Sequence, residues 1–271
     1  MLRKWSTWIV LALLSAGAIV YSVAYFGEAF PIMNIDLQMN RAAALDSAQV
    51  RAERLGLGPE GFSQAASFDT DREVQTYAEL EGGGRDAYRR MIETERYQPY
   101  QWTVRHYAPN EARETMLRFT PSGRPYGFTE EWPEDADGPA LSPDSARTVA
   151  EAQAQTAWNV DLSSYTLASS SRQERPNGRV DHTFVYERPD LRLGDEGRYR
   201  IRLKVSGDQL SEVRHLVKVP EGFQRRYENM RSANTTIAQG GLLAVGLIYI
   251  LGGCLYGLYW LLRRSAVKWR M

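Results

Sequence analysis

Residues 46–53, DSAQVRAE, return as residues 144–151, DSARTVAE, with five of the eight positions unchanged. A repeat of that kind points to two copies of one structural unit. Around the first copy, NRAAALDSAQVRAERLG (40–56) places Ala44, Ala48 and Ala52 at helical spacing with Leu45 and Leu55, between a cap residue, Asn40, and a stop, Gly56. Around the second, SPDSARTVAEAQAQTAW (142–158) has Ser142 as cap and Pro143 at the first helical position. Each copy therefore opens with a short amphipathic helix.

Outward from the helices the pattern changes to period two. QWTVRHY (101–107), TMLRFT (115–120), HTFVYE (182–187), YRIRLKV (199–205) and LSEVRHLVKV (210–219) alternate, as in antiparallel strands with one polar face. In the fourth, Tyr199, Ile201, Leu203 and Val205 fall on one face and Arg200, Arg202 and Lys204 on the other. Ser122-Gly123 and Ser206-Gly207 sit between such runs as hairpin turns. FSQAAS (62–67) matches YTLASS (165–170), and LRFTPSGRPYGF (117–128) matches IRLKVSGDQLSEV (201–213), in the same order as the helices. The first copy carries an insertion of two short helices around Gly82-Gly83-Gly84, the glycines reading as a flexible link, and EDADGPA (134–140) reads as a hinge between copies.

Two windows frame these units, Trp5 to Phe26 and Thr236 to Leu262, and neither contains Asp, Glu, Lys, Arg or His. Each is long enough to cross a bilayer about 30 Å thick as a helix. Arg3 and Lys4 precede the first window, and Arg263, Arg264, Lys268 and Arg270 follow the second, so both termini are expected in the cytoplasm. Ala16-Gly17-Ala18 has the form of a signal-peptide cleavage site. Cleavage there would leave an apolar new N-terminus, so an uncut anchor is the better reading. The use of 29 Arg against 4 Lys points to a GC-rich bacterial genome.

All 33 acidic residues lie between the windows with 27 of the 33 basic ones, a net charge of −6 that a neutral total hides. No basic face suggests nucleic acid. The one cysteine, Cys254, lies in the second window, so the middle segment is held by packing alone.

The fold class expected is α+β, with two tandem helix-plus-antiparallel-sheet modules between two transmembrane helices. The boundaries are a cytoplasmic tail 1–4, a transmembrane helix 5–26, extracytoplasmic modules 27–139 and 140–221, a juxtamembrane helix 222–235, a second transmembrane helix 236–262 and a basic cytoplasmic tail 263–271. Residues 27–235 are then extracytoplasmic and the bilayer is the bacterial inner membrane.

No residue stands out as catalytic or metal-ligating. His106, His182 and His215 fall in predicted strands as solvated or half-buried residues without ligand spacing. Glu130-Glu131 has no neighbouring arginine or histidine in EEWPED, and Asp69-Thr70-Asp71 lacks the glycine and distal glutamate of a calcium loop and reads as a turn. No cofactor is expected and binding residues are unassigned. Within the second window, Gly253 and Gly257 form a G-x-x-x-G pair suited to close helix packing.

Residues 202–241, RLKVSGDQLSEVRHLVKVPEGFQRRYENMRSANTTIAQGG, followed by YWLLRRSAVKWR (259–270), resemble the N-terminal half of large bacterial CPBP-family proteins, the CAAX-protease-like intramembrane endopeptidases. The helix-then-sheet units also resemble PepSY-type modules. The resemblance implies a non-catalytic anchor and accessory region of an intramembrane metalloprotease, partnered by the bilayer and by a multi-helix protease domain or a peptide, with residues 263–271 leading toward a third span. The family's E-E-x-x-x-R motif and intramembrane histidines have no counterpart here, so no catalytic residue is carried over. The alternative is a freestanding two-span envelope protein whose paired modules bind or sense a ligand.

Overall fold

The computed structural model describes residues 5–29 and 35–263. Two units separate by their internal contacts, residues 1–218 and 219–271. Along the first run α1 (Trp5–Ala29), α2 (Arg41–Leu55), β1 (Ser63–Thr70), α3 (Arg72–Leu80), α4 (Gly84–Glu93), β2 (Tyr100–Tyr107), β3 (Glu114–Phe119) and β4 (Pro125–Glu131). They are followed by α5 (Pro143–Trp158), β5 (Thr166–Glu174), β6 (Val180–Leu193), β7 (Gly197–Ser206) and β8 (Gln209–Lys218). The fold is α+β. Each copy supplies one helix and four strands, with α3 and α4 as the insertion in the first.

Both opening helices start and stop where local chemistry dictates. Asn40 Oδ1 accepts from Ala43 N at 2.9 Å, and Ser142 Oγ accepts from Ser145 N at 3.2 Å with Pro143 following it. Such caps satisfy otherwise orphaned N–H groups and contribute about 1 kcal/mol each. Gly56 and Asn159 end the helices in the left-handed region, φ 67° and 59°. Ala44, Ala48 and Ala52 in α2, and Ala146, Ala150 and Ala154 in α5, are buried against the sheet.

Matching the helices at their N-caps, Asn40 and Ser142, corrects the repeat by one turn: Ala44, Ala48 and Ala52 then correspond to Ala146, Ala150 and Ala154. An alanine every four residues looks the same after a shift of one turn, which is why the two octapeptides align out of phase.

The strands form one antiparallel sheet in the order β1-β2-β3-β4-β8-β7-β6-β5. The two copies are therefore halves of a single sheet, meeting where β4 pairs with β8. That seam is narrow, with Phe128 opposite Val213 and Thr129 opposite Glu212. Its end is set by Gly127, φ 155°, where a Cβ would lie 2.2 Å from Val213 O. On the helix-covered face Phe128 stacks on Trp158 at 4.6 Å, so the last residue of α5 packs on the strand of the other copy. Helix α2 lies over β1 and β2, and α5 over β8, β7 and β6. Edge strand β5 is left exposed along its whole length.

Residues 134–140 are not a hinge. The Arg179 guanidinium, 2% exposed, donates to Pro133 O at 3.1 Å and Ala136 O at 2.9 Å, and Gly138 lies so close that a Cβ would meet Arg179 Cγ at 2.8 Å. Asp181 holds that arginine at 3.1 Å, Arg175 at 2.8 Å and Lys204 at 3.5 Å. Burial works against the Asp181 charge, but these three cations outweigh it and keep its carboxyl below the ordinary range. Glycines 82–84 are likewise a built turn: Gly83 and Gly84 have φ 105° and 81°, and a Cβ on Gly82 would sit 2.6 Å from Ala78 Cα. The insertion is tied to the second copy, since Tyr77 Oη donates to Leu193 O and accepts from Gly197 N.

Two of the three histidines, expected at least half solvated, are buried. His182 Nε2 bonds Leu141 O at 2.9 Å. His106, 0% exposed, lies in a cross-strand row with Thr115 and Glu130. Gln64 Nε2 donates to Leu45 O and to His106 Nε2, so the ring proton is on Nδ1. Neither His106 Nδ1 nor Thr115 Oγ1 has a hydrogen-bond partner among the described residues, and Phe62 stacks on the imidazole at 4.0 Å. Burial pushes the His106 pKa from 6.5 down to about 4.

In the second unit α6 (Glu221–Leu247) continues through a π-helical segment (Ile248–Leu255) into α7 (Tyr256–Arg263), so the helix predicted from residue 222 does run into the apolar window. Gly253 lies in the π-helical segment and Gly257 in α7. Helix α1 and the α6–α7 run are each long and apolar enough to cross a membrane. Arg3, Lys4, Arg264, Lys268 and Arg270, on which the orientation argument rests, lie outside the described residues.

Gly127→Ala should open the seam. Its left-handed φ alone costs about 1–2 kcal/mol, and the added methyl must also displace a backbone carbonyl. Gly178→Ala, at φ 81° with nothing within 4 Å, is the control for the backbone term alone. Urea unfolding should place Gly127→Ala well below the control; equal midpoints would contradict the seam.

His106 makes stability depend on pH. Its folded pKa lies below its unfolded value, so its contribution is complete above pH 6.5 and is lost as pH falls toward 4. Between pH 7 and 5 the loss is about 2 kcal/mol. In His106→Gln, whatever its stability at pH 7, the drop in unfolding free energy over that interval should shrink by about this amount.

Candidate functional site

The face of the sheet away from α2 and α5 is polar because strand alternation puts every second residue there. Most of its cations are paired: Arg105 with Glu114, Arg200 with Glu187, Lys204 with Asp181, and Arg202 with Glu212 at 3.9 Å. Arg192 on β6 and Lys218 at the end of β8 have no ion pair among the described residues, and the same holds of Arg118 on β3 and Arg214 on β8. Neither has a carboxylate within ion-pair distance among the described residues, and the hydrogen bond found for Arg118 runs from Nη1 to Thr129 Oγ1 at 3.0 Å.

Gly127 explains how two arginines come to share this position. It stands opposite Arg118 in the β3–β4 register and against Val213, the residue before Arg214. The β4 position between the two arginine-bearing strands therefore carries no side chain.

Both arginines line a cavity of about 290 Å³. Across from the arginines its wall is acidic, with Asp69 at the end of β1 and Asp71 and Glu73 at the start of α3. Asp71 caps α3, accepting from Val74 N at 3.1 Å and from Tyr97 Oη at 2.6 Å. Asp69 accepts from Ser67 Oγ at 2.7 Å. The expected turn at 69–71 is in fact a strand end running into a helix cap.

Tyr97, Tyr126 and His215 complete the lining. Tyr126 Oη accepts from Gln98 N at 3.0 Å, and its ring stacks on His215 at 4.4 Å. Burial pushes His215 down to about 4, so it is neutral at neutral pH. Burial, then the Asp71 charge, raises the Tyr97 phenol well above its ordinary value. Burial, then the charge of Arg214, lowers the pKa of Arg118, while the charges of Glu212 and Asp69 act in the opposite sense.

The cavity lining includes no serine, threonine or cysteine. Among the described residues no group of three His, Cys, Asp or Glu side chains is placed to hold a metal ion. Glu130, without an arginine in its local sequence, receives one from β3's approach: Arg113 bonds it through Nη2 at 2.7 Å and Nε at 3.0 Å, and Gly58 N donates to it at 2.9 Å. All three bonds fall on Oε1 of this buried side chain. Glu131, the last residue of β4, is exposed.

Sequence reasoning left the binding residues unassigned. A trace of the site was nevertheless present, since Arg118 and Arg214 each occupy the polar phase of an alternating strand next to a seam glycine. Their proximity depends on β4 pairing with β8.

No family model matches the chain, and no curated protein matches it. The resemblance to CPBP endopeptidases thus finds no support there. Among solved structures, the Bacillus megaterium YpeB C-terminal domain aligns at 14% identity over 68% of this chain and 69% of that one, with a TM-score of 0.36. A likeness that distant carries no functional argument.

Proposed function

We propose that this chain is a membrane-anchored binding module, held at the bilayer by α1 and the α6–α7 run, that presents its folded sheet unit outside the cytoplasm and takes a ligand in the Arg118–Arg214 cavity. The observation that carries the reading is that Arg118 and Arg214 both line one cavity and neither has a carboxylate within ion-pair distance among the described residues. An uncompensated charge pair lowers stability, and a ligand that supplies the missing anion removes that penalty. The reading includes the sequence-based placement, with residues 27–235 extracytoplasmic and both termini cytoplasmic in a bacterial inner membrane. An accessory role beside an intramembrane protease rests on the sequence resemblance alone. Close packing at Gly253 and Gly257 is part of the proposal as a contact with a second membrane helix.

Topology is directly testable because Cys254 is the only native cysteine. In a Cys254→Ser background, Val50→Cys, at a position 66% exposed on α2, should react with a membrane-impermeant maleimide on intact spheroplasts. Met271→Cys should react only after lysis. The chain should also stay in the pellet after alkaline carbonate extraction. Labelling of Met271→Cys before lysis, or release by carbonate, would overturn the anchored two-span arrangement.

A further inference from the structure

Helix cover and sheet length do not match in the second copy. Helix α5 packs on β8, β7 and β6, and β5, which carries the sheet one strand further, is exposed at all nine of its residues. At the opposite edge β1 packs under α2, and every second residue there is half-buried. Strand β5 therefore presents an unpaired backbone edge with both of its side-chain faces in solvent. Such an edge is a template for a further strand unless proline, lysine or a bulge blocks it. TLASSSRQE (166–174) contains neither proline nor lysine. Its one irregularity, between Leu167 and Ser169, leaves Ser169–Glu174 in unbroken register with β6.

The charges on that stretch select the strand that fits it. Arg172 and Glu174 lie opposite His182 and Val180, on the face that α5 leaves bare at this edge. Within one chain they meet at 3.5 Å and stay 57% and 68% exposed, so each can take a second partner. A second β5 related by a two-fold axis runs antiparallel to the first and sets its residues directly opposite in pairs. Centred on Arg172 or on Glu174, that pairing sets like charges against each other, which is destabilising. Centred on Ser170 or Ser171, it sets no opposite charges together. Centred on Gln173, it places Arg172 opposite Glu174 of the second copy and Glu174 opposite Arg172 of the second copy. The same ion pair then forms twice, and the two Gln173 amides meet at the axis.

We infer that β5 pairs with β5 of a second copy of this chain about a two-fold axis at Gln173, joining two eight-stranded sheets edge to edge. The ladder is short and polar, so its affinity in dilute solution is low. Anchoring both copies in one bilayer raises their effective concentration, and to that extent the inference rests on the membrane-anchored reading.

The test uses the full chain in membranes of the expressing cell, in the Cys254→Ser background, with copper-phenanthroline oxidation and a non-reducing gel. Residues directly opposite in antiparallel strands have Cα atoms within disulfide range, so Gln173→Cys should give a disulfide-linked dimer. Val50→Cys, exposed on α2, should give roughly a tenth as much or less. Adding Arg172→Glu to the Gln173→Cys chain sets carboxylates against each other at both positions and should cut the dimer roughly tenfold. Adding Glu174→Arg to that variant restores opposite charges and should restore the dimer. Because β5 is exposed, the thermal midpoints of these variants should match that of the parent. Crosslinking of Gln173→Cys no greater than that of Val50→Cys overturns the pairing, as does a dimer indifferent to Arg172→Glu. A crosslink to a different protein overturns it in favour of a foreign strand. Each of these results can arise in a chain that resists carbonate extraction, so failure of the pairing is distinct from failure of the anchoring.

Discussion

Two backbone pairings between β4 and β8 hold the two copies in one sheet, and they depend on Gly127 bringing its backbone against the Val213 carbonyl. Much else follows from that close approach. It makes the two α-helices share a core, since Trp158 at the end of α5 reaches Phe128 on the far side of the seam. One residue without a Cβ therefore sets the joint.

Around the seam, the copies are secured by contacts that cross between them. Tyr77 in the first copy's insertion bonds the β6–β7 hairpin of the second. Arg179 on the second copy's hairpin gathers the carbonyls of the connecting segment. A buried arginine with a buried aspartate is stabilising only when the remaining donors are also satisfied. The carbonyls of Pro133 and Ala136 meet that condition, so the connection is fixed rather than hinged.

The copies have diverged in what they cover. In the first, α3 and α4 follow β1 and build the acidic wall from the cap of α3. In the second, a tight β5–β6 hairpin takes their place and β5 is exposed. The cavity therefore has one occurrence in the repeat, although the arginine positions alone recur along the polar face.

By itself the sequence determined what depends on neighbours a few residues away. The caps Asn40 and Ser142, the stop at Gly56, the strand alternation and the Ser-Gly turns were legible because each is satisfied within one turn of helix or one hairpin. The apolar windows were legible because length and lack of charge suffice. Tertiary structure decided the phase of the alanine repeat, since a period of four cannot tell one turn from the next. It decided that the modules share a sheet, that residues 134–140 are clamped, and that His106 is buried beneath Phe62. It also decided the site, because Arg118 and Arg214 meet only across β4, and no local pattern records which strand will lie beside which.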